Sequence, residues 1–85
     1  MKQLSQILAT AETVAEFNTN NAWGFGGGYG KVYTFPKDIV IRKGTACYRH
    51  APSHPFFTVS VKGERIIDVE RCTPKALATL NTLIT

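Results

Sequence analysis

The sequence predicts a single two-layer α+β domain: an N-terminal helix, an antiparallel meander of four or five strands, and a C-terminal helix. Three observations carry this. Apolar residues recur at helical spacing near both ends of the chain and at period two between them. The connections in the middle are too short for parallel crossovers, which need a dozen or more residues. The 85 residues, 44% hydrophobic and 19% charged, can build one small core, and no repeat or linker divides residues 1–85.

Residues 2–18 read as the first helix. Leu4, Ile7, Leu8, Ala11, Val14 and Ala15 follow the i, i+3, i+4, i+7 pattern, and Gln6, Thr10, Thr13 and Glu16 take the opposite face. The asparagines of "NTNN" suit its C-terminal end, because Asn tolerates the left-handed conformation there. A segment rich in glycine and aromatics follows, and then the texture changes to strands. "YGKVYTF" is strand-like, "PKD" is a turn, "IVIR" is a short strand, and the first "KG" turns again into "TACYRH". "APSHP" reads as a loop, "FFTVSV" as a strand, and the second "KG" as a tight hairpin into "ERIIDV". The last element is a helix. Thr73 is a good N-cap, Pro74 suits the first helical position, and Ala76, Leu77, Leu80, Leu83 and Ile84 form its apolar stripe.

The segment "NAWGFGGGYGKVYTFP" holds the chemistry that most needs explaining. Its run "FGGGYGKVY" resembles the glycine-rich loop of protein kinases at Gly27, Gly30 and Val32, with Tyr29 where that loop often has an aromatic. Phe25 replaces the first glycine, no H-R-D or D-F-G element follows, and the chain is too short for two kinase lobes. A P-loop fails because Val32 follows Gly30-Lys31 where a hydroxyl is needed. A dinucleotide fingerprint fails because its third glycine position is Tyr29 and the glycines open a strand rather than a helix. The RNA-recognition strand motif is matched only at Gly28, Tyr29, Gly30 and Val32. Tyr29, Lys31, Tyr33 and Phe35 nevertheless alternate onto one sheet face, which is either the core face or a stacking surface. Gly24 to Gly28 are expected to form a flexible connection from helix to sheet. Trp23, Phe25 and Tyr29 are then the anchors of a loop that moulds itself to a partner.

Charge is concentrated in the middle of the chain. Between Tyr29 and Arg65 there are seven basic residues, among them Lys31, Arg42, Lys43 and Arg49, and only Asp38 and Glu64 as acids. A field of that sign favours acidic partners. Cys47, His50, His54 and Cys72 have ligand-type side chains, but Cys72 lies far along the chain, so no metal or other cofactor is expected. No pair of acids has environments that would separate an acid from a base, so no enzyme is expected. The N-terminus lacks a signal-peptide core and no run reaches membrane-spanning length, which makes a cytoplasmic chain with two free thiols the expectation.

The functional expectation is a small non-catalytic accessory protein of the phage or mobile-element type. It would bind a protein partner and modulate it, by inhibition, through Trp23, Phe25 and Tyr29. One alternative is a nucleic-acid-binding module using Lys31, Arg42, Lys43 and Arg49 with Tyr29 and Tyr33. Another is a binder of small anionic nucleotides held by the N–H groups of the glycine-rich loop.

Overall fold

The computed structural model of the chain describes residues 2–19, 27–48, 51–68 and 71–84. In chain order it contains helix α1 (Leu4–Leu8), strands β1 (Thr13–Thr19) and β2 (Gly27–Phe35), and a single 3-10 turn (Pro36–Asp38). Strands β3 (Ile39–Tyr48), β4 (Ala51–Val61) and β5 (Glu64–Ile67) and helix α2 (Pro74–Ile84) complete it. The five strands form one antiparallel sheet in sequence order. The predicted α+β class, with a helix at each end and a meander between, is the observed one.

The first helix is much shorter than its apolar spacing predicts. Only Leu4–Leu8 is helical, and Thr13–Thr19 pairs along β2 from Thr13↔Thr34 to Thr19↔Gly28. Ile7 is fully buried, whereas Val14, which a continuous helix would have placed beside it, is 52% exposed. The "TVAEF" stretch opens with two β-branched residues and ends on an aromatic one, and the open edge of β2 offers it a full ladder of backbone partners. Tertiary pairing therefore overrides the helical spacing. The helix ends where Thr10 Oγ1 donates to the Ile7 carbonyl at 2.7 Å. Of the "NTNN" stretch, Asn18 and Thr19 belong to β1, and the two following asparagines lie outside the described residues.

Two predicted interruptions are absent. The first "KG", Lys43–Gly44, is not a turn, because β3 runs through it in register with β2, Lys31↔Lys43 and Gly30↔Gly44. The "APSHP" loop is the first half of β4. Among the described residues β5 pairs with β4 only from Val59 onward, so that first half is an edge there, where the missing N–H of a proline is tolerated. The other two turns are as predicted. Lys37 and Asp38 in "PKD" adopt positive φ, and Lys62 and Gly63 have φ of 53° and 82°, the signature of a type I′ hairpin.

Both helices lie on one face of the sheet. Phe35, Ile39, Ile41, Phe57, Val59 and Ile67 supply the sheet side of the core, and Ile7, Ala76 and Leu80 the helix side. Helix α2 begins as predicted: Thr73 Oγ1 accepts from the Ala76 N–H at 3.2 Å, with Pro74 next in line. The chain ends are tied together, since Lys2 N donates to Asn81 Oδ1 at 3.0 Å and Asn81 Nδ2 donates to the Lys2 carbonyl at 3.1 Å. The molecule measures 41 × 24 × 22 Å, and the core occupies only the end of the sheet near the Pro36–Asp38 turn. Among the described residues, no helix covers the far end of the helix-bearing face or the helix-free face. No helix among the described residues is long and apolar enough to cross a membrane.

Candidate functional site

The alternating row on β2 runs out from under the helices. Phe35 is 3% exposed, Tyr33 packs partly buried against the core, and Lys31 and then Tyr29 are exposed on the same face, Tyr29 by 54%. The predicted face is thus a core face at one end and an open surface at the other. Antiparallel register sets the neighbours there. Glu16, Lys31 and Lys43 form one row across β1, β2 and β3, and Asn18, Tyr29 and Thr45 form the next. Directly opposed like charges such as Lys31 and Lys43 destabilise a ladder, and neither lysine forms an ion pair with a described residue. Glu16, Asn18, Tyr29 and Lys31 border a depression of about 540 Å³. A second depression, of about 320 Å³, joins Lys43 to Arg71, Cys72 and Phe57. Burial pushes the Cys72 thiol above its ordinary range, and the nearby Lys43 ammonium pulls the other way.

The helix-free face is organised around two glycines. Phe17 on β1, Gly30 on β2, Gly44 on β3 and Phe56 on β4 are in register across four strands. Flat strands about 4.8 Å apart would hold Phe17 and Phe56 roughly 14 Å from each other. Their ring centroids are 5.9 Å apart with planes tilted by 37°. Rings leaning toward each other over the side-chain-free glycines close most of that gap, and the close approach of Gly30 to Gly44 on this face curls the sheet toward it for the rest. A Cβ on Gly30 would sit 2.6 Å from Gly44 Cα and closer still to the Lys43 carbonyl oxygen. A Cβ on Gly44 would sit 2.8 Å from Gly30 Cα and closer to the Tyr29 carbonyl oxygen. The two rings lean over a floor that admits no side chain. Beside them Val32 and Arg42 complete a depression of about 370 Å³. The described strand residues on this face include no carboxylate; Asp68, just past β5, is bonded to Arg65 at 3.0 Å.

The structure divides the residues singled out in the sequence. Tyr29, Lys31, Tyr33 and Lys43 share the helix-bearing face, and Arg42 is on the opposite one. Trp23, Phe25 and Arg49 lie outside the described residues, as do Gly24 to Gly26. Gly27 and Gly28, expected in a flexible connection, are instead the first residues of β2. Cys47, whose register partner is Gly27, and His54, whose partner is Ala46, fall on opposite faces of the β3–β4 ladder, and His50 lies outside the described residues. Among the described residues no three His, Cys, Asp or Glu side chains are grouped to hold a metal ion. Phe17 and Phe56 were missed. Their signal, two phenylalanines in register with two glycines, exists only once β1 is recognised as a strand. No protein-family model matches the chain, and no curated protein or solved structure matches it.

Proposed function

We propose that this protein is a non-catalytic binding module that modulates a protein partner by occluding it, and that the helix-free face is its docking surface. One observation carries the reading: the Phe17–Phe56 pair with Arg42 at its rim, on a bent, carboxylate-free sheet face. Aromatic residues and arginine are enriched at protein interfaces and dominate their energetics, because they bury large rigid surface and make directional contacts. The bend matters as much as the residues. It turns a flat sheet into a shallow saddle, into which a convex apolar segment with an acidic neighbour would fit. Two free thiols, Cys47 and Cys72, suit a reducing compartment such as the cytoplasm.

The test is site-specific photo-crosslinking in the native cell, with the probe at position 42 on the saddle or at position 79 on the exposed side of α2. The expected result is one discrete protein adduct from position 42 and none from position 79. With that partner in hand, Arg42→Glu should weaken binding by about thirtyfold, the loss of a hot-spot contact. Equal labelling from both positions, or unchanged affinity of the variant, would overturn the reading.

A further inference from the structure

The open end of the helix-bearing face is chemically unlike the saddle. Among the described residues its exposed side chains are mostly polar or charged, with one half-exposed aromatic ring, Tyr29, and with Pro55 two strands away in the same row. On the far side of Lys43 the depression shared with Arg71 adds a third cation. We infer that this surface binds single-stranded nucleic acid, with Tyr29 as the stacking residue and Lys31, Lys43 and Arg71 as the phosphate track. The inference is independent of the docking role given to the opposite face.

Three features support it. First, Lys31 and Lys43 oppose each other directly across β2 and β3, and an anion between them would relieve a repulsion that no described carboxylate neutralises by an ion pair. Second, the Tyr29 ring stands among small or polar neighbours. Asn18 and Thr45 flank it across the strands, and Gly27, two residues back on the same face, has no side chain. Its π-face is therefore open to a base, and any base will stack on it. Third, Tyr29 and Lys31 are two residues apart on one strand, a separation of about 7 Å, close to that between a base and the phosphate of its own nucleotide. Glu16 sets the direction of the track. It continues the Lys31 row onto β1, where it would repel phosphate, so the strand is steered across β2 and β3 toward Arg71. An acidic protein segment is the competing occupant, because Pro55 is exposed and Phe56 half-buried beside Lys43 and Arg71, and competition by polyglutamate distinguishes the two.

The experiment is fluorescence anisotropy of the full chain with labelled oligo-dT and oligo-U of about twenty nucleotides, at about 50 and 200 mM salt. The wild type should bind both oligonucleotides. Lys31→Gln with Lys43→Gln should weaken binding and reduce the salt slope by about 1.4, two phosphate contacts at roughly 0.7 each for single strands. Tyr29→Ala should weaken binding by roughly tenfold with little change in slope. Glu16→Gln should tighten it. Arg42→Gln, on the opposite face, should leave the slope unchanged, which separates this surface from the saddle. All these side chains are exposed, and circular dichroism of each variant confirms that the fold is intact. Absence of binding at the lower salt would overturn the inference, and so would an unchanged slope in the double lysine variant. Displacement of the oligonucleotide by polyglutamate as readily as by unlabelled oligonucleotide, with Tyr29→Ala neutral, would show general polyanion adsorption and overturn it too.

Discussion

Replacing Gly44 by alanine tests the bend on which the saddle depends. The new Cβ would lie 2.8 Å from Gly30 Cα and nearer still to the Tyr29 carbonyl oxygen. Carbon atoms in ordinary contact are about 3.5–4.0 Å apart, so β2 and β3 must separate by roughly 1 Å at this row. Overpacking of this kind costs about 1–3 kcal/mol. Flattening the sheet also parts Phe17 from Phe56, whose pairing is worth about 0.5–1.5 kcal/mol. Against this, alanine recovers about 0.5–1 kcal/mol of the backbone entropy that glycine loses on folding. The net loss is about 2 kcal/mol, in a domain whose total stability by size is about 4–13 kcal/mol. The variant should therefore fold, with a thermal midpoint lower by roughly 8–16 °C. The assay is thermal and urea unfolding followed by circular dichroism. Gly30→Ala should cost a similar amount. Gly28→Ala should cost less, because its Cβ would meet the Thr45 carbonyl oxygen at 3.0 Å and no Cα closer than 3.6 Å. Gly44→Asn separates strand from turn. Asparagine tolerates the left-handed conformation of a turn, so a Lys43–Gly44 turn would accept it, whereas the strand should reject it at least as strongly as alanine. A Gly44→Ala protein that melts at or above the wild-type midpoint would refute the bent-sheet account.

Three further outcomes are expected. Lys62→Asn should stabilise the hairpin by roughly 0.5–1 kcal/mol, because Lys62 has φ 53° beside Gly63 and Asn-Gly is the preferred type I′ pair; calorimetry should show a rise of a few degrees. Thr73→Ala removes the hydroxyl that accepts from the Ala76 N–H and should cost about 1 kcal/mol in urea unfolding. In a Cys47→Ser background, alkylation of Cys72 should follow a pH profile displaced upward from that of a free thiol, because burial disfavours the thiolate; Lys43→Gln should displace it further. The same shift gives stability a sign. The folded state holds the proton more tightly, so this contribution is complete below the unfolded thiol's range and is lost as pH rises through the folded one.

What the sequence determined by itself was whatever rests on local chemistry or on strict alternation. Thr73 and Pro74 start α2 because a hydroxyl acceptor and a fixed φ suit a helix N-terminus in any context. Lys62–Gly63 turns because it adopts a positive-φ pair between two strands. Tyr29, Lys31, Tyr33 and Phe35 share a face because successive residues of any strand point to opposite sides. Tertiary structure decided the rest. Thr13–Thr19 carries apolar residues compatible with either period, and only the unpaired edge of β2 made it a strand rather than more of α1. Gly44 is locally indistinguishable from a turn glycine; its reason is Gly30, fourteen residues earlier, whose backbone lies too close for any side chain. The extent of the core was not legible either. Where the helices stop covering the sheet depends on how short α1 is, and that decides why Phe35 is buried and Tyr29, on the same face of the same strand, is not. Phe17 and Phe56 are thirty-nine residues apart in the chain, and they meet because a sheet with two opposed glycines can fold over on itself.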